Sequence, residues 1–132
     1  QRLIDERDLK NDVTITGRID NIANSMSAAD LIIIPSQDYE SFALTAVEAM
    51  LNELPIVATN IGGIPETIGQ DGHCGFLVDP EEPDKFSEKI LYIVDNPEFS
   101  KKMGANGLSR ALDVFDPKKM AREYHKLTRT KS

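Results

Sequence analysis

Three short apolar runs punctuate the middle of the chain: "LIIIP" ending at Pro35, "PIVAT" over 55–59 and "GFLVD" over 75–79, each bounded by turn residues. Continuous runs of this length suit strands covered on both faces, as in a parallel sheet. A fourth segment, "DVTITG" (12–17), alternates Val13 and Ile15 with Thr14 and Thr16 before Gly17, which predicts a strand with one more polar face. Helical patterns are expected between them, at about 22–29, 43–52 and 65–69. These intervals exceed the roughly a dozen residues that a parallel crossover requires. The alternation predicts a doubly wound α/β layer.

After Pro80 the pattern changes. Phe86, Ile90, Ile93 and Val94 recur at helical spacing, with Pro83 near the start and Asn96-Pro97 as a stop. Two further helices are predicted over 97–112 and 117–128, the second opened by "FDP", where Asp116 can cap and Pro117 fits the first turn. The C-terminal third is therefore helical. The opening "QRLIDERDLKN" reads as the last turns of a helix, with nothing ahead of it to supply a first strand. The expected architecture is a Rossmann-like doubly wound parallel sheet whose first strand is missing. At 132 residues the chain is one domain, 1–132, without repeats, low-complexity tracts or a Gly/Ser linker.

Composition narrows the function classes. With 40% hydrophobic and 28% charged residues the chain can bury a core and is not composed like a disordered protein. The apolar runs are far below the roughly 18 residues needed to cross a bilayer, and the first residues lack a signal-peptide core, so a cytoplasmic location is expected. A net charge of −7 argues against a nucleic-acid surface, because phosphate backbones are bound by clustered Lys and Arg. Any anionic ligand must be held by local chemistry. Cys74 is the single cysteine, excluding an internal disulfide, and with only His73 and His125 there is no credible zinc set. A thiol in or near a loop is the plain reading of Cys74.

The segment "YESFALTAVEAM" (39–50) carries the candidate chemistry. In an open parallel sheet, ligands sit beyond the carboxyl ends of the strands, where helix N-termini point. A helix starting near Phe42, with Ser41 as N-cap, would leave the amides of Phe42, Ala43, Leu44 and Thr45 without intrahelical partners. Such N–H groups, reinforced by the helix dipole, form a seat for a phosphate. The small Ala43 would let a ligand approach the backbone closely. Glu48, about 6 Å of rise beyond Leu44, could accept two hydroxyl hydrogens of a ribose, and Glu40 could meet the group on the far side of the phosphates. By spacing alone, Ser41 could equally be only a cap, Phe42 a core anchor and the two acids solvated.

The stretch "PSQDYESFALTAVEAMLNELPIVATNIGGIPETIGQDGHCGFLVDP" resembles the donor-binding, C-terminal half of retaining glycosyltransferases of the GT-B fold, the group 1 class (family four). The shared features are Glu, seven residues, Glu, then Ala-Met, a Pro-Val-Val-Ala-like strand, a Gly-Gly loop with a Glu, and Gly-Phe/Leu-Leu-Val. The resemblance runs from about Val13 to the "FDP" helix. It implies transfer of a sugar from a nucleotide-diphosphate sugar, with retention of configuration and no metal or other cofactor. It places Glu40 beside the donor sugar, bonding its hydroxyls, as the candidate catalytic residue. The amides of Phe42 and Ala43 would approach the sugar and distal phosphate, and those of Leu44 and Thr45 the diphosphate. Glu48 would hold the ribose, and the Gly17-Arg18-Ile19 loop, Ile19 above all, would border the base. Gly62 and Gly63 are expected to form a structural turn, with a place in the donor pocket as the second option.

The sequence also departs from the family's pattern. Ser41 stands where Gly or Pro is common, Ala43 where Gly is common, and Glu53 replaces another Gly before a strand. The preceding strand with its Gly-Arg turn and Lys, which clamp the diphosphate, is expected upstream of Gln1, as is an N-terminal domain for a sugar, lipid or glycan acceptor; Arg18 is a weak substitute. The chain is therefore expected to be a fragment that binds donor weakly and turns nothing over alone, with peripheral attachment at the inner membrane face conceivable only at full length. Three other classes compete: a nucleotide-sugar epimerase of the same layout, a non-catalytic interaction domain, and a phospho-acceptor receiver domain. The last lacks acids at early strand ends and the Lys after a late strand.

Overall fold

The computed structural model describes residues 1–129. Its elements are α1 (Arg2–Glu6), α2 (Ile22–Met26), β1 (Ile32–Ile34), α3 (Leu44–Leu51), β2 (Ile56–Thr59), α4 (Ile64–Ile68), β3 (Gly75–Val78), α5 (Pro83–Asp95), α6 (Pro97–Val114) and α7 (Pro117–Arg129). The three apolar runs form one parallel sheet in sequential order, Ile32 facing Ile56 and Val57 facing Phe76 across the two ladders. α3 and α4 make the crossovers.

Side-chain alternation along β2 explains the layering. Ile56 and Ala58 enter a core built with Ile34, the α3 residues Ala46, Val47, Ala49 and Met50, the α4 residues Ile64 and Ile68, and Ala111 of α6. Val57 points the other way, into a second core with Phe76, Val78, Ile93 of α5 and Met103 of α6. Phe76 stacks on Phe99 there at 5.9 Å, and Tyr92 meets Phe99 edge-on at 5.3 Å. Ile56, Val57 and Ala58 have no exposed surface. Full burial of a side chain such as Ile or Val is worth ~1.5–3 kcal/mol, which is why this central strand reads as uninterrupted apolar sequence. The helical C-terminal third is α5 to α7, and the Asp116 carboxylate caps α7 by accepting the Lys118 amide at 2.9 Å.

Two expectations are corrected. Residues 12–17 do not form a strand: Val13 gives its amide to the Leu9 carbonyl at 2.9 Å in a helical-type turn, and Val13 and Ile15 are exposed. Alternation supplies a face, but a strand also needs a partner for its backbone groups, and no described strand pairs with this segment. α2 stops at Met26 instead of continuing to 29, because Ala28 and Ala29 bond to the carbonyls three residues back and tighten the last turn. Cys74 lies in the turn before β3 and is fully buried; burial pushes its thiol above the ordinary range, partly offset by the Arg110 guanidinium. Among the described residues no helix is long and apolar enough to cross a membrane.

Candidate functional site

β1 ends at Ile34, and the loop from Pro35 leads into α3 at the carboxyl edge of the sheet. The helix starts later than the sequence predicts. Its first residue is Leu44, and the N-cap is Ala43, which has non-helical φ −78° and ψ 74° and no capping side chain. Ser41 is therefore not the cap: it lies two residues too early and is exposed. The Leu44 amide is not free either, because it donates to the Phe42 carbonyl at 2.9 Å. Ala46 and Val47 both donate to the Ala43 carbonyl, at 2.9 and 3.3 Å. That leaves the amides of Phe42, Ala43 and Thr45 without an acceptor among the described residues.

Ala43 is only 3% exposed and belongs to the same core cluster as Ala46 and Met50, so its small side chain is part of the core. Of these three, Phe42 and Thr45 lie on exposed residues. The Phe42 ring is fixed by an edge-on contact with Phe115 at 5.7 Å, which ties the loop to the end of α6.

Glu40 and Glu48 are each partly buried. Neither carboxylate has a hydrogen bond or ion pair within the described chain; the Glu48 carbonyl accepts the Asn52 side chain at 2.8 Å, which leaves its carboxylate unengaged. The two acids, the Phe42 and Thr45 amides and the Leu44 side chain belong to one loop–helix unit. A half-buried acid without an internal partner is suited to neutral hydroxyl donors, since a charged carboxylate retains its need for hydrogen bonds once water is partly excluded.

Gly17 and Ile19 are not joined to this unit by any hydrogen bond or ion pair among the described residues. Both are exposed in the irregular segment ahead of α2, Gly17 with φ +65° and open space around its Cα. Arg18 lies 3.7 Å from Asp20 in a solvent-exposed pair, an interaction of little strength.

Concavity alone does not single out the loop. A groove of about 530 Å³ lies at the opposite, amino end of the strands, between Asp30, Glu53, Pro97 and Lys101, whereas the recess between Pro35, Thr59 and Pro80 at the carboxyl end holds about 230 Å³ and is not lined by Glu40 or Glu48. Chemistry favours the carboxyl edge, because the loop and first turn of α3 there carry amides without acceptors and acids without partners among the described residues.

The turn expected at Gly62-Gly63 is present, and it stands beside this unit. The Gly62-Gly63 turn lies directly against the Glu40–Ser41 backbone, and Gly63 donates to the Glu40 carbonyl at 2.6 Å. A turn was legible from the two glycines; a contact 23 residues back along the chain was not.

The family model for glycosyl transferases group 1 matches residues 1–110. The MMP alpha-(1->4)-mannosyltransferase of Mycolicibacterium hassiacum is 40% identical over 96 residues, 73% of this chain and 23% of that protein. Among solved structures, sucrose-phosphate synthase from Thermosynechococcus elongatus superposes with a TM-score of 0.90 at 32% identity, covering 98% of this chain and 32% of that one. Anabaena HepE in complex with UDP superposes with a TM-score of 0.93 at 27% identity, covering 98% and 35%. The chain spans about a third or less of the length of these relatives. With the parallel sheet, the loop–helix unit and this family match together, the chain belongs to the glycosyl transferases of group 1.

Proposed function

We propose that this chain is the donor-binding domain of a retaining glycosyltransferase, seating a nucleotide-diphosphate sugar at the start of α3 and passing the sugar to an acceptor held by a second, N-terminal domain of the intact protein. The observation that carries this reading is that, among the described residues, the Phe42 and Thr45 amides have no acceptor and the partly buried acids on either side of them in the chain, Glu40 and Glu48, have no partner. The UDP held by HepE, a protein of closely similar fold, supports a nucleoside diphosphate as the ligand class.

In this reading the diphosphate lies against the free amides at the head of α3, where the helix dipole adds to them. Glu48 accepts hydroxyl hydrogens of the ribose. Glu40 faces the donor sugar, and Gly17 and Ile19 border the base once the first segment is held in place. The barrier is cleavage of the sugar–phosphate bond, so negative charge grows on the leaving diphosphate while the sugar becomes oxocarbenium-like. Fixed amides stabilise that growing charge without reorganising, usually a large part of catalysis. Glu40 favours the positive sugar through its field. No metal or other cofactor enters this scheme. The intact enzyme acts on a sugar, lipid or glycan acceptor at the cytoplasmic side, with any membrane attachment supplied by parts outside these residues.

Incubating the intact protein with nucleotide sugars and candidate acceptors tests this. The expected product is a glycoside with the donor's anomeric configuration, and none from residues 1–132 alone. A donor sugar that is only epimerised or hydrolysed, whatever the acceptor, would contradict transfer and favour the epimerase reading.

A further inference from the structure

Gly62 has φ +53°, and a Cβ there would lie 2.2 Å from the Glu40 carbonyl oxygen and 2.9 Å from its nitrogen. A Cβ on Gly63, whose φ of −85° is ordinary, would lie 2.3 Å from the Ser41 carbonyl oxygen. Backbone therefore meets backbone at both positions with no room for a side chain. Gly63 adds a directed contact, donating its amide to Glu40.

The far side of this contact is rigid. The Gly63 carbonyl accepts the Thr67 amide at 3.1 Å and the Thr67 hydroxyl at 3.0 Å, so the turn is locked onto α4. Ile64 and Ile68 are fully buried. Arg110 of α6 holds the other end of α4 through the Thr67 carbonyl at 2.8 Å and the Glu66 carbonyl at 2.7 Å. The Glu40–Phe42 segment thus has two anchors outside its own loop: Gly63 on one side and Phe115 on the other.

We propose that Gly62 and Gly63 are positioning residues for Glu40: by allowing the β2–α4 turn to lie on the Glu40–Ser41 backbone, they fix where the Glu40 carboxylate stands relative to the helix that seats the diphosphate. This rests on the reading above in taking Glu40 as the acid that faces the sugar. A methyl at Gly63 must displace the Ser41 carbonyl, and Glu40 moves with it. Glu48, one turn into α3, whose Ala46, Val47, Ala49 and Met50 are anchored in the core, stays in place.

The test compares Gly63→Ala with Glu40→Gln in the intact transferase, measuring unfolding midpoint, UDP affinity, kcat and KM. Gly63→Ala is expected to remain folded while kcat falls on the order of 100-fold, the scale of a misplaced catalytic group; UDP affinity is expected to fall by less than kcat, because the Ser41 carbonyl and the Phe42 amide share one peptide unit. Turnover by Gly63→Ala close to that of the unmodified protein, with Glu40→Gln inactive, overturns the positioning role and leaves the donor reading intact. Full turnover by Glu40→Gln instead overturns the assignment of Glu40 itself. Should Gly63→Ala fail to fold, hydrogen exchange of the Gly63 amide in the unmodified protein decides: protection comparable to that of β2 amides is expected, and exchange as fast as an open turn overturns the clamp.

Discussion

The two ends of α3 treat their backbone groups in opposite ways. At the C-terminal end the Leu54 amide bonds the Ala49 carbonyl at 3.0 Å and the Glu53 amide bonds the Met50 carbonyl at 3.1 Å, the paired closure of a Schellman motif. α6 seals that end, because Gly104 lies against the Glu53 carbonyl with no space for a Cβ, which would sit 1.9 Å away. At the N-terminal end no side chain caps, and among the described residues the Phe42 and Thr45 amides lack acceptors and Glu40 and Glu48, just before and within α3, lack partners. Folding demands closure of buried backbone groups, so an end left open at low cost to the core is where an external ligand can complete the bonding. The larger groove, on the amino side next to the closed end, offers volume without such unmet demand.

That contrast implies different consequences for substitutions at the two ends. The largest effect is expected at the closed end: Gly104→Val forces a side chain onto the Glu53 carbonyl and should cost about 3 kcal/mol of stability, read from the urea midpoint. An unchanged midpoint would mean that α6 does not sit on that turn. At the open end Glu48→Ala should leave the urea midpoint nearly unchanged and weaken nucleoside diphosphate binding by ~1–3 kcal/mol in calorimetry, the range for an unpaired polar contact. Equal affinity would remove Glu48 from the site. The smallest effect comes from Glu53, which has φ +55° at the position where the family commonly has Gly. Glu53→Gly should raise stability by about 1 kcal/mol by relieving the left-handed backbone, with no change in nucleotide affinity.

Much of the fold was legible because its signals are local. The runs ending at Pro35, Thr59 and Asp79 read as doubly covered strands, and the Pro and Asp signals at Pro83, Pro97 and Asp116-Pro117 marked the last three helices to within a few residues. "DVTITG" failed because pattern can specify a face but not a neighbour. The acids at 40 and 48 were singled out from their spacing and the resemblance, and the structure shows each partly buried. The backbone arrangement between them was not legible, because it depends on conformation: Phe42 turning its carbonyl to the Leu44 amide moves the cap from Ser41 to Ala43, and composition carries no trace of that. The Gly63–Glu40 hydrogen bond was invisible for the same reason, since it joins two crossovers that only the sheet order brings together.

The most direct test of the central claim is a titration of this chain with UDP followed by amide chemical shifts. The largest changes are expected at Phe42 and Thr45, with Leu44 moving less because its amide is already engaged, and with Glu53 and Lys101 at the amino-side groove unmoved. Saturable shifts centred on Glu53 and Lys101, with Phe42 and Thr45 unchanged, would contradict it.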